Sequence, residues 1–274
     1  MKKILTFLCL LCLSSGCTNS INSQFILTFI PLAKGDCFLL ITNDYHYLID
    51  TGRSKDYSHI EAVLTTKNIT ELDGIILTHG HKDHAGSLEQ LLDNFTVHSV
   101  YVSSQDNQSY DDIDARSITS NHNVTLVDVN QNDQLILDDT SVKFWIPNNP
   151  DYEEENNNSI ITTITHGNKR FVMMGDAQKD EEKQFLKSNN YHNIDVLKLG
   201  HHGEDDASSD LFLSQLNPKY AIITASDEKN PDSFNNRVSD YLSHHNCQIF
   251  DANNQDLCID FISNGNEITV EISH

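Results

Sequence analysis

Basic residues are scarce in this chain, with 18 lysines and arginines against 40 aspartates and glutamates and a formal net charge of −22 over 274 residues. A surface of this charge repels polyanions at long range unless a local patch or a bound cation reverses the field. The composition therefore counts against tight nucleic-acid binding through a basic surface. A nuclease that binds its substrate through metal ions stays compatible with it.

Cysteine is also scarce, and no two of the six cysteines have the spacing of a zinc ribbon. Two of them lie in an apolar N-terminal segment, and Cys17 follows that segment. Of the remaining three, Cys37 stands alone, whereas Cys247 and Cys258 flank two predicted strands and a turn. This leaves two alternatives open, a disulfide in an oxidising compartment or two buried thiols.

Long hydrophobic runs are absent after the N-terminus, and no later segment is apolar enough to cross a membrane. Residues 4–13 form one short apolar run, which Lys2 and Lys3 precede. Small residues at 14–16 then lead to Cys17. The pattern resembles a bacterial lipobox, in which the cysteine is acylated and becomes the mature N-terminus.

This N-terminal pattern divides the chain into three parts. We expect a lipoprotein signal peptide over 1–17, a polar tether over 18–24 and a folded domain over 25–274. An ordinary cleaved signal peptide is the alternative. Either way the protein is expected to be exported, as a cell-envelope lipoprotein held in the membrane by its lipid alone or as a secreted protein.

The folded part shows no internal repeat and nothing typical of disorder, collagen or a coiled coil. Short apolar runs separated by turn-forming residues predict strands, beginning with an antiparallel meander from Phe25. Amphipathic segments, among them 58–68 and 87–95, predict helices. The succession of strands, helices and strands occurs twice. It predicts an α/β fold in which two sheets pack face to face with helices outside, an αββα sandwich.

The strongest chemical signal is the segment THGHKDHAG at 78–86. His79, His81, Asp83 and His84 have the spacing His-x-His-x-Asp-His between a predicted buried strand and a predicted helix. Imidazole and carboxylate groups suit Zn²⁺, Mn²⁺ or Fe²⁺. The first two histidines can project to one side of an extended segment, while the last two side chains turn toward an adjacent point. The cluster therefore predicts two neighbouring metal ions.

Other polar residues also follow predicted strands, namely Asp50 in LIDTG, Asp176 after RFVMM, and His201 and His202 after DVLKL. A carboxylate has two oxygens, so Asp176 could bridge two cations. Asp50 is expected to orient metal-binding histidines through hydrogen bonds. A Gly-Asp pair alone is typical of a turn, so these positions indicate a functional site only in combination with the histidine cluster.

In this order, the motifs resemble the metallo-β-lactamase superfamily and, within it, the C-terminal metallo-hydrolase domain of ComEC-type DNA-uptake proteins. That family's Gly-Gln-Gly-Asp and Leu-Ile-Asp-x-Gly motifs are similar to residues 34–36 and 48–52 here. Its later motifs are similar to residues 156–159, 173–177 and 196–203. The resemblance extends over residues 25–262, nearly the whole predicted domain.

The resemblance implies a hydrolase with two divalent ions, zinc or manganese, and a hydroxide between them as the nucleophile. It assigns His79 and His81 to the first ion, and Asp83 and His84 to the second. One histidine of the pair at 201–202 joins the second ion, and His201 is our choice. Asp176 bridges, and Asp83 also accepts a proton. The residues expected beside the substrate or behind the ligands are Asp50, Asn158, Ser159 and His202.

Several positions depart from the superfamily. Many members have a further histidine ligand between the cluster and the bridging aspartate, where this chain has Asn158 and Ser159, so the first ion is expected to be held more loosely. His166 is the nearest imidazole, but its place beside a hairpin turn predicts a surface position. Lys34 replaces the usual glutamine, and the His-Pro expected within 230–234 is missing. ComEC proteins carry this domain behind a membrane channel, so their DNA-uptake role is not transferred.

These observations favour phosphoester hydrolysis, of the phosphodiesterase or nuclease type, on a small-molecule or cell-envelope substrate, with nucleic acid as a further candidate. Hydrolysis of lactams, lactones or thioesters is the alternative, and the missing middle histidine argues against a true β-lactamase. A metal-dependent binding lipoprotein of the envelope is the alternative from another class. The intact set of predicted ligands argues against it.

Overall fold

The computed structural model describes residues 24–105, 112–148, 155–226, 233 and 235–273. The predicted signal peptide with Cys17, nearly all of the predicted tether and most of the segment 230–234 lie outside the described residues.

The first half of the chain contains strands and helices in the order β1 (Phe25–Phe29), β2 (Phe38–Ile41), β3 (His46–Ile49), α1 (Tyr57–Thr66), β4 (Glu71–Leu72), β5 (Gly74–Ile76), α2 (Lys82–Ala85), α3 (Leu88–Asn94), β6 (Thr96–Val97), β7 (Ser99–Ser103), α4 (Ala115–His122) and β8 (Thr125–Val129). The second half continues with β9 (Gln134–Leu137), β10 (Thr140–Trp145), β11 (Ile161–His166), β12 (Lys169–Met173), α5 (Lys179–Ser188), β13 (Val196–Lys198), α6 (Asp210–Leu216), β14 (Tyr220–Ile223), α7 (Asn236–His244), β15 (Gln248–Asp251), β16 (Cys258–Ser263) and β17 (Ile268–Ser273). Short 3₁₀ helices cover Ser54–Asp56, Glu155–Asn158 and Gly200–Gly203.

Two large sheets contain most of these strands. The first has eight strands in the order β17-β16-β1-β2-β3-β5-β7-β8, and the second has seven in the order β15-β14-β13-β12-β11-β10-β9. Strands β1, β2 and β3 pair antiparallel, as the predicted meander requires. Each sheet then continues with parallel strands, β3-β5-β7-β8 in the first and β12-β13-β14-β15 in the second.

Three apolar cores lie between the layers and join them. The central core lies between the sheets and is rich in phenylalanine, with Phe25, Phe29, Phe38, Phe144, Phe171 and Phe261 all buried. Fully burying one such side chain contributes about 1.5–3 kcal/mol. A second core joins the first sheet to α1, α3 and α4, and a third joins the second sheet to α5, α6 and α7. The layer order is helix, sheet, sheet, helix, which confirms the predicted αββα sandwich.

Parallel strands place the loops that follow them at one edge of a sheet. The loops after β3 and β5 in the first sheet, and after β12 and β13 in the second, contain most of the predicted site residues. Close packing holds these loops together: a Cβ on Gly86 would lie 2.2 Å from the Lys82 carbonyl oxygen and 2.9 Å from Arg53 Cα. Ligands of α/β proteins generally bind where the carboxyl ends of strands meet.

Cys247 and Cys258 are free and buried, so the disulfide alternative is wrong and the two-thiol alternative holds. Cys247 packs in the core beneath the helices of the second sheet, whereas Cys258 begins β16 and packs beneath the helices of the first. The two sheets therefore separate the sulfurs. Burial raises the pKa of Cys247 to about 12 and that of Cys258 to about 11.

The predicted surface position of His166 was also wrong, because this residue is only 1% exposed. Its Nδ1 lies 2.9 Å from Ser263 Oγ in the opposite sheet. The turn at Gly167 packs against the turn at Gly265, where the Asn168 amide donates to the Gly265 carbonyl at 2.7 Å. This contact between hairpins covers the imidazole.

Among the described residues, no helix combines the length and apolar character needed to span a bilayer.

Candidate metal centre

Three imidazoles converge on one oxygen of Asp176, in the loop after β12. The distance to Asp176 Oδ2 is 3.0 Å from His84 Nε2, 3.2 Å from His202 Nε2 and 3.9 Å from His79 Nε2. All four side chains are buried. His79 and His84 come from the first sheet, and Asp176 and His202 from the second, so the cluster forms only when the two sheets pack together.

The Nδ1 of each of these imidazoles contacts an oxygen on the side of the ring away from Asp176. Thr78 Oγ1 lies 3.1 Å from His79 Nδ1, and Asp50 Oδ2 lies 2.8 Å from His84 Nδ1. Because Thr78 Oγ1 donates its own proton to Asp50 at 2.8 Å, it accepts from His79 and leaves Nε2 with a free lone pair.

His202 is held in the same way, since its Nδ1 lies 2.9 Å from Thr224 Oγ1 and 3.3 Å from Asp36 Oδ1. In all three rings, Nε2 is thus the nitrogen that faces the cluster. This is the usual arrangement of metal-binding histidines, whose second nitrogen contacts an oxygen behind the ring. Asp50 makes the contact that its expected orienting role requires.

The residues fit a metal ion by their chemistry. Asp36, His84, Asp176 and His202 each offer a ligand atom, and these atoms lie within 4.8 Å of one another. The Nε2 of His79 is buried and makes no hydrogen bond within the described part of the chain. Burying such a group unsatisfied is costly, and a cation would relieve the cost. Nitrogen and carboxylate donors suit zinc and manganese, so this cluster could hold a divalent ion.

The charges of the cluster also favour a cation. Burial alone would raise the pKa of Asp176, but His202, His84 and Lys198 hold it well below its usual range. Burial would lower the pKa of His84, yet the surrounding aspartates raise it well above its ordinary value. For His79, burial and the neighbouring His84 both lower the pKa, so this imidazole is neutral, the form that binds metals.

Sequence reasoning missed two members of the cluster, Asp36 and Lys198. The Lys198 ammonium lies 2.5 Å from Asp36 Oδ2 and 3.5 Å from Asp176 Oδ1, and it donates to the Gly175 carbonyl oxygen at 2.5 Å. Burial would raise the pKa of Asp36, but Lys198 and two histidines lower it to about 2. Both residues belong to motifs quoted above. The signal in the sequence that could have indicated Lys198 is its position inside the otherwise apolar strand β13.

Asp83 and His81 lie at the margin of the cluster. Asp83 Oδ2 is 3.9 Å from His202 Nε2 and 3.1 Å from Arg53 Nη2. Burial would raise the pKa of Asp83, but His84, His202 and Arg53 lower it, so the carboxylate is ionised at neutral pH. His81 Nε2 lies 3.2 Å from Glu155 Oε2, and its ring packs edge-on against that of His79.

Within the histidine pair after β13, the geometry favours His202 over our choice of His201. His201 Nδ1 lies 2.9 Å from Asp206, and its Nε2 lies 3.5 Å from Asn156 Nδ2, outside the cluster. Both histidines have left-handed backbone, with φ of 44° and 53°. Successive side chains in this tight 3₁₀ turn point in different directions, which selects the second ring.

Ser159 supports the position of Asp176. Its Oγ accepts the Asp176 amide at 3.0 Å and donates to the Asn156 carbonyl oxygen at 2.9 Å. Asn158 is buried in the 3₁₀ helix just before it. This segment lies where many superfamily members have their middle histidine, and His166, at the other end of β11, does not join the cluster.

Residues 31–226 match the family model described as the Metallo-beta-lactamase superfamily. ComE operon protein 3 of Bacillus subtilis is 29% identical over 249 residues, which are 84% of this chain and 32% of that protein. Recombination protein 2 of Haemophilus influenzae is 25% identical over 201 residues, which are 72% of this chain and 24% of that protein. The chain thus spans about a third or less of the length of these relatives, which are ComEC-type competence proteins.

Solved structures share the fold. The metallo-beta-lactamase fold protein YhfI from Bacillus subtilis superposes with a TM-score of 0.57 at 15% identity, over 92% of this chain and all of that one. Tm1679, described as a metal-dependent hydrolase of the beta-lactamase superfamily, gives a TM-score of 0.55 at 14% identity, over 83% of this chain and 95% of that one. At such identities the likeness concerns the fold alone.

Proposed function

The chain belongs to the metallo-beta-lactamase superfamily and is a hydrolase of that fold, and from this premise we propose that it hydrolyses phosphoesters with two divalent cations, zinc or manganese, bound around Asp176. The cations, when bound, would supply an activated water and neutralise charge on the phosphate. His79, His84, His202 and Asp176 would hold them together with His81 and Asp83.

The observation that carries the choice of a phosphoester is the guanidinium of Arg53. One of its nitrogens, Nη2, holds Asp83 at 3.1 Å, while its Nε is buried without a hydrogen-bond partner among the described residues. The side chain is 31% exposed, so part of it is accessible to solvent beside Asp83. A guanidinium presents planar N–H donors that match phosphate oxygens. It therefore favours an anionic substrate over a neutral ester.

The other residues of the site have distinct tasks in this proposal. Asp83 is ionised and lies beside Arg53, where it can accept a proton as water attacks the phosphorus. Lys198 balances the buried charges of Asp36 and Asp176, which keeps the Asp176 carboxylate in one position. Ser159 fixes the backbone of that carboxylate. Asp50, behind His84, fixes the orientation of the imidazole.

For the substrate, we favour a small-molecule or cell-envelope phosphoester, because a chain of net charge −22 repels long polyanions. The name of one relative, Recombination protein 2, keeps nucleic acid as the second candidate. Export as a lipoprotein acylated at Cys17 is likewise a proposal. Mass spectrometry of the mature N-terminus would test it, since an unmodified N-terminus at another residue would contradict it.

Activity of chelator-stripped protein, with Mn²⁺ or Zn²⁺ added back, tests the function. We expect turnover of bis(p-nitrophenyl) phosphate that depends on added metal and is lost in Asp176→Asn. Single-stranded DNA and nitrocefin complete the substrate panel. Metal-dependent turnover of nitrocefin or a thioester without any phosphodiester turnover would replace the proposal by the lactam and thioester alternative. Phosphodiester turnover that survives Asp83→Ala combined with His84→Ala would refute the assigned site.

A further inference from the structure

Glu155 begins the 3₁₀ helix Glu155–Asn158 and approaches His81, which the family resemblance assigns to the first ion. Its Oε2 lies 3.2 Å from His81 Nε2. The Glu155 side chain is only 9% exposed, whereas that of His81 is 29% exposed. An ion pair at the protein surface contributes little and varies in geometry, but a carboxylate buried to this degree restricts its partner.

The contact is comparable to those made by the other three imidazoles of the centre. His79, His84 and His202 each have one nitrogen facing Asp176 and the other held by an oxygen from behind. Glu155 supplies the corresponding oxygen for His81, but at Nε2 rather than Nδ1. A ring nitrogen that carries a proton cannot bind a cation, so an Nε2–H facing Glu155 would leave Nδ1 of His81 for the metal.

The same short segment also contacts the loop of Asp176. Ser159, which follows the 3₁₀ helix, accepts the Asp176 amide at 3.0 Å and donates to the Asn156 carbonyl oxygen at 2.9 Å. Residues 155–159 therefore contact both His81 and the loop of Asp176. The segment lies where many superfamily members have a middle histidine, which this chain lacks.

We propose that Glu155 is a positioning residue for the first metal ion, which selects Nδ1 of His81 as the binding nitrogen and holds the ring toward His79. The inference rests on the metal centre of the proposed function. Carboxylates behind metal-binding histidines raise metal affinity by about 10- to 100-fold. Glu155 thereby strengthens a site that lacks its third histidine.

Metal binding to Glu155→Ala and Glu155→Gln tests the proposal without using activity. Chelator competition with Zn²⁺ is expected to show two ions in the wild type and a first ion bound about 10- to 100-fold more weakly in Glu155→Ala. Glu155→Gln keeps an oxygen acceptor and should lie between the two. Asn157→Ala is the matched control, because Asn157 belongs to the same 3₁₀ helix and contacts Gln178 instead of a histidine. It should bind both ions as the wild type does.

Proton NMR of the Co²⁺-loaded proteins provides the readout that a merely structural role would not change. Each cobalt-bound histidine contributes an exchangeable, strongly shifted ring N–H signal. In Glu155→Ala, the signal of the His81 Nε2–H should broaden by exchange with water, while those of His84 and His202 persist.

The possible results distinguish a failure of the proposed function from a failure of the inference about Glu155. Wild-type protein that binds no divalent ion refutes the proposed function, and this inference with it. Two ions bound equally well by wild type and a folded Glu155→Ala variant overturn the inference alone. A His81 ring N–H signal that stays equally sharp in Glu155→Ala would also overturn it, because Glu155 would then not hold that proton.

Discussion

Replacing Lys198 by methionine is the sharpest test of the electrostatic structure of the site. The ammonium is fully buried, 2.5 Å from Asp36 Oδ2 and 3.5 Å from Asp176 Oδ1. Methionine has a similar volume but no charge, so Lys198→Met leaves Asp36 buried without its main cation. Removing one partner of a buried ion pair costs about 3–5 kcal/mol. For a domain of this size the loss corresponds to a melting temperature about 6–20 °C lower.

The pH dependence of the loss identifies its cause. In the folded protein Asp36 has a pKa of about 2, against an ordinary value of 3.8. A carboxylate with a lowered pKa stabilises the fold above its ordinary pKa, and this contribution disappears as the pH falls toward the folded value. The shift is worth about 2 kcal/mol for Asp36. The gap between wild type and Lys198→Met should therefore be largest near pH 7 and narrow between pH 4 and 2.

Chemical denaturation and calorimetry of chelator-treated protein measure both effects. The double variant Lys198→Met with Asp36→Asn removes both charges and should recover most of the stability. Lys183→Met is the control, since Lys183 is 59% exposed and its pairing with Asp180 contributes little. A folded Lys198→Met variant within about 1 kcal/mol of the wild type at pH 7 would refute the reasoning.

Three further predictions follow from individual contacts. Arg53→Gln should raise the KM for bis(p-nitrophenyl) phosphate at least about 10-fold while leaving a neutral p-nitrophenyl ester unaffected, since charge-assisted hydrogen bonds contribute about 1.5–3 kcal/mol; equal losses on both substrates would reduce its role to holding Asp83. His202→Ala should lose one bound metal ion by elemental analysis, and His201→Ala should keep the wild-type stoichiometry; the reverse result would restore His201 as the ligand. Dithiothreitol should not change the melting temperature, and iodoacetamide should label Cys247 and Cys258 only after unfolding, whereas labelling of the native protein would contradict their burial.

The side chains that meet in the candidate metal centre could be predicted from the sequence because their signals are local. A buried strand that ends in His-x-His-x-Asp-His determines which side chains leave the sheet at that edge, whatever the rest of the chain does. The same holds for the aspartate after β12 and the histidine pair after β13. Short apolar runs and amphipathic helices likewise depend on neighbours in sequence, so the αββα layers could be predicted from them.

The choice between His201 and His202 could not be made in this way. It depends on the left-handed backbone of both residues, which form a kink within the turn Gly200–Gly203. A Cβ on Gly200 would lie 2.1 Å from the Ala177 carbonyl oxygen, so the turn is pressed against the loop of Asp176. Side-chain direction in such a turn is decided by contacts between loops that are distant in sequence.

Taken alone, the sequence determined the candidate metal-binding side chains of this protein, their order along the chain and the strand ends that present them. The tertiary structure decided which of them meet. Strand β16 returns to pair with β1, which places Cys258 and Cys247 on opposite sides of the sandwich. Packing of the two sheets brings Lys198 to Asp36 and Glu155 to His81. Such partners cannot be identified from local patterns, because electrostatic interactions and packing depend on how close two residues are in space and not on how close they are along the chain.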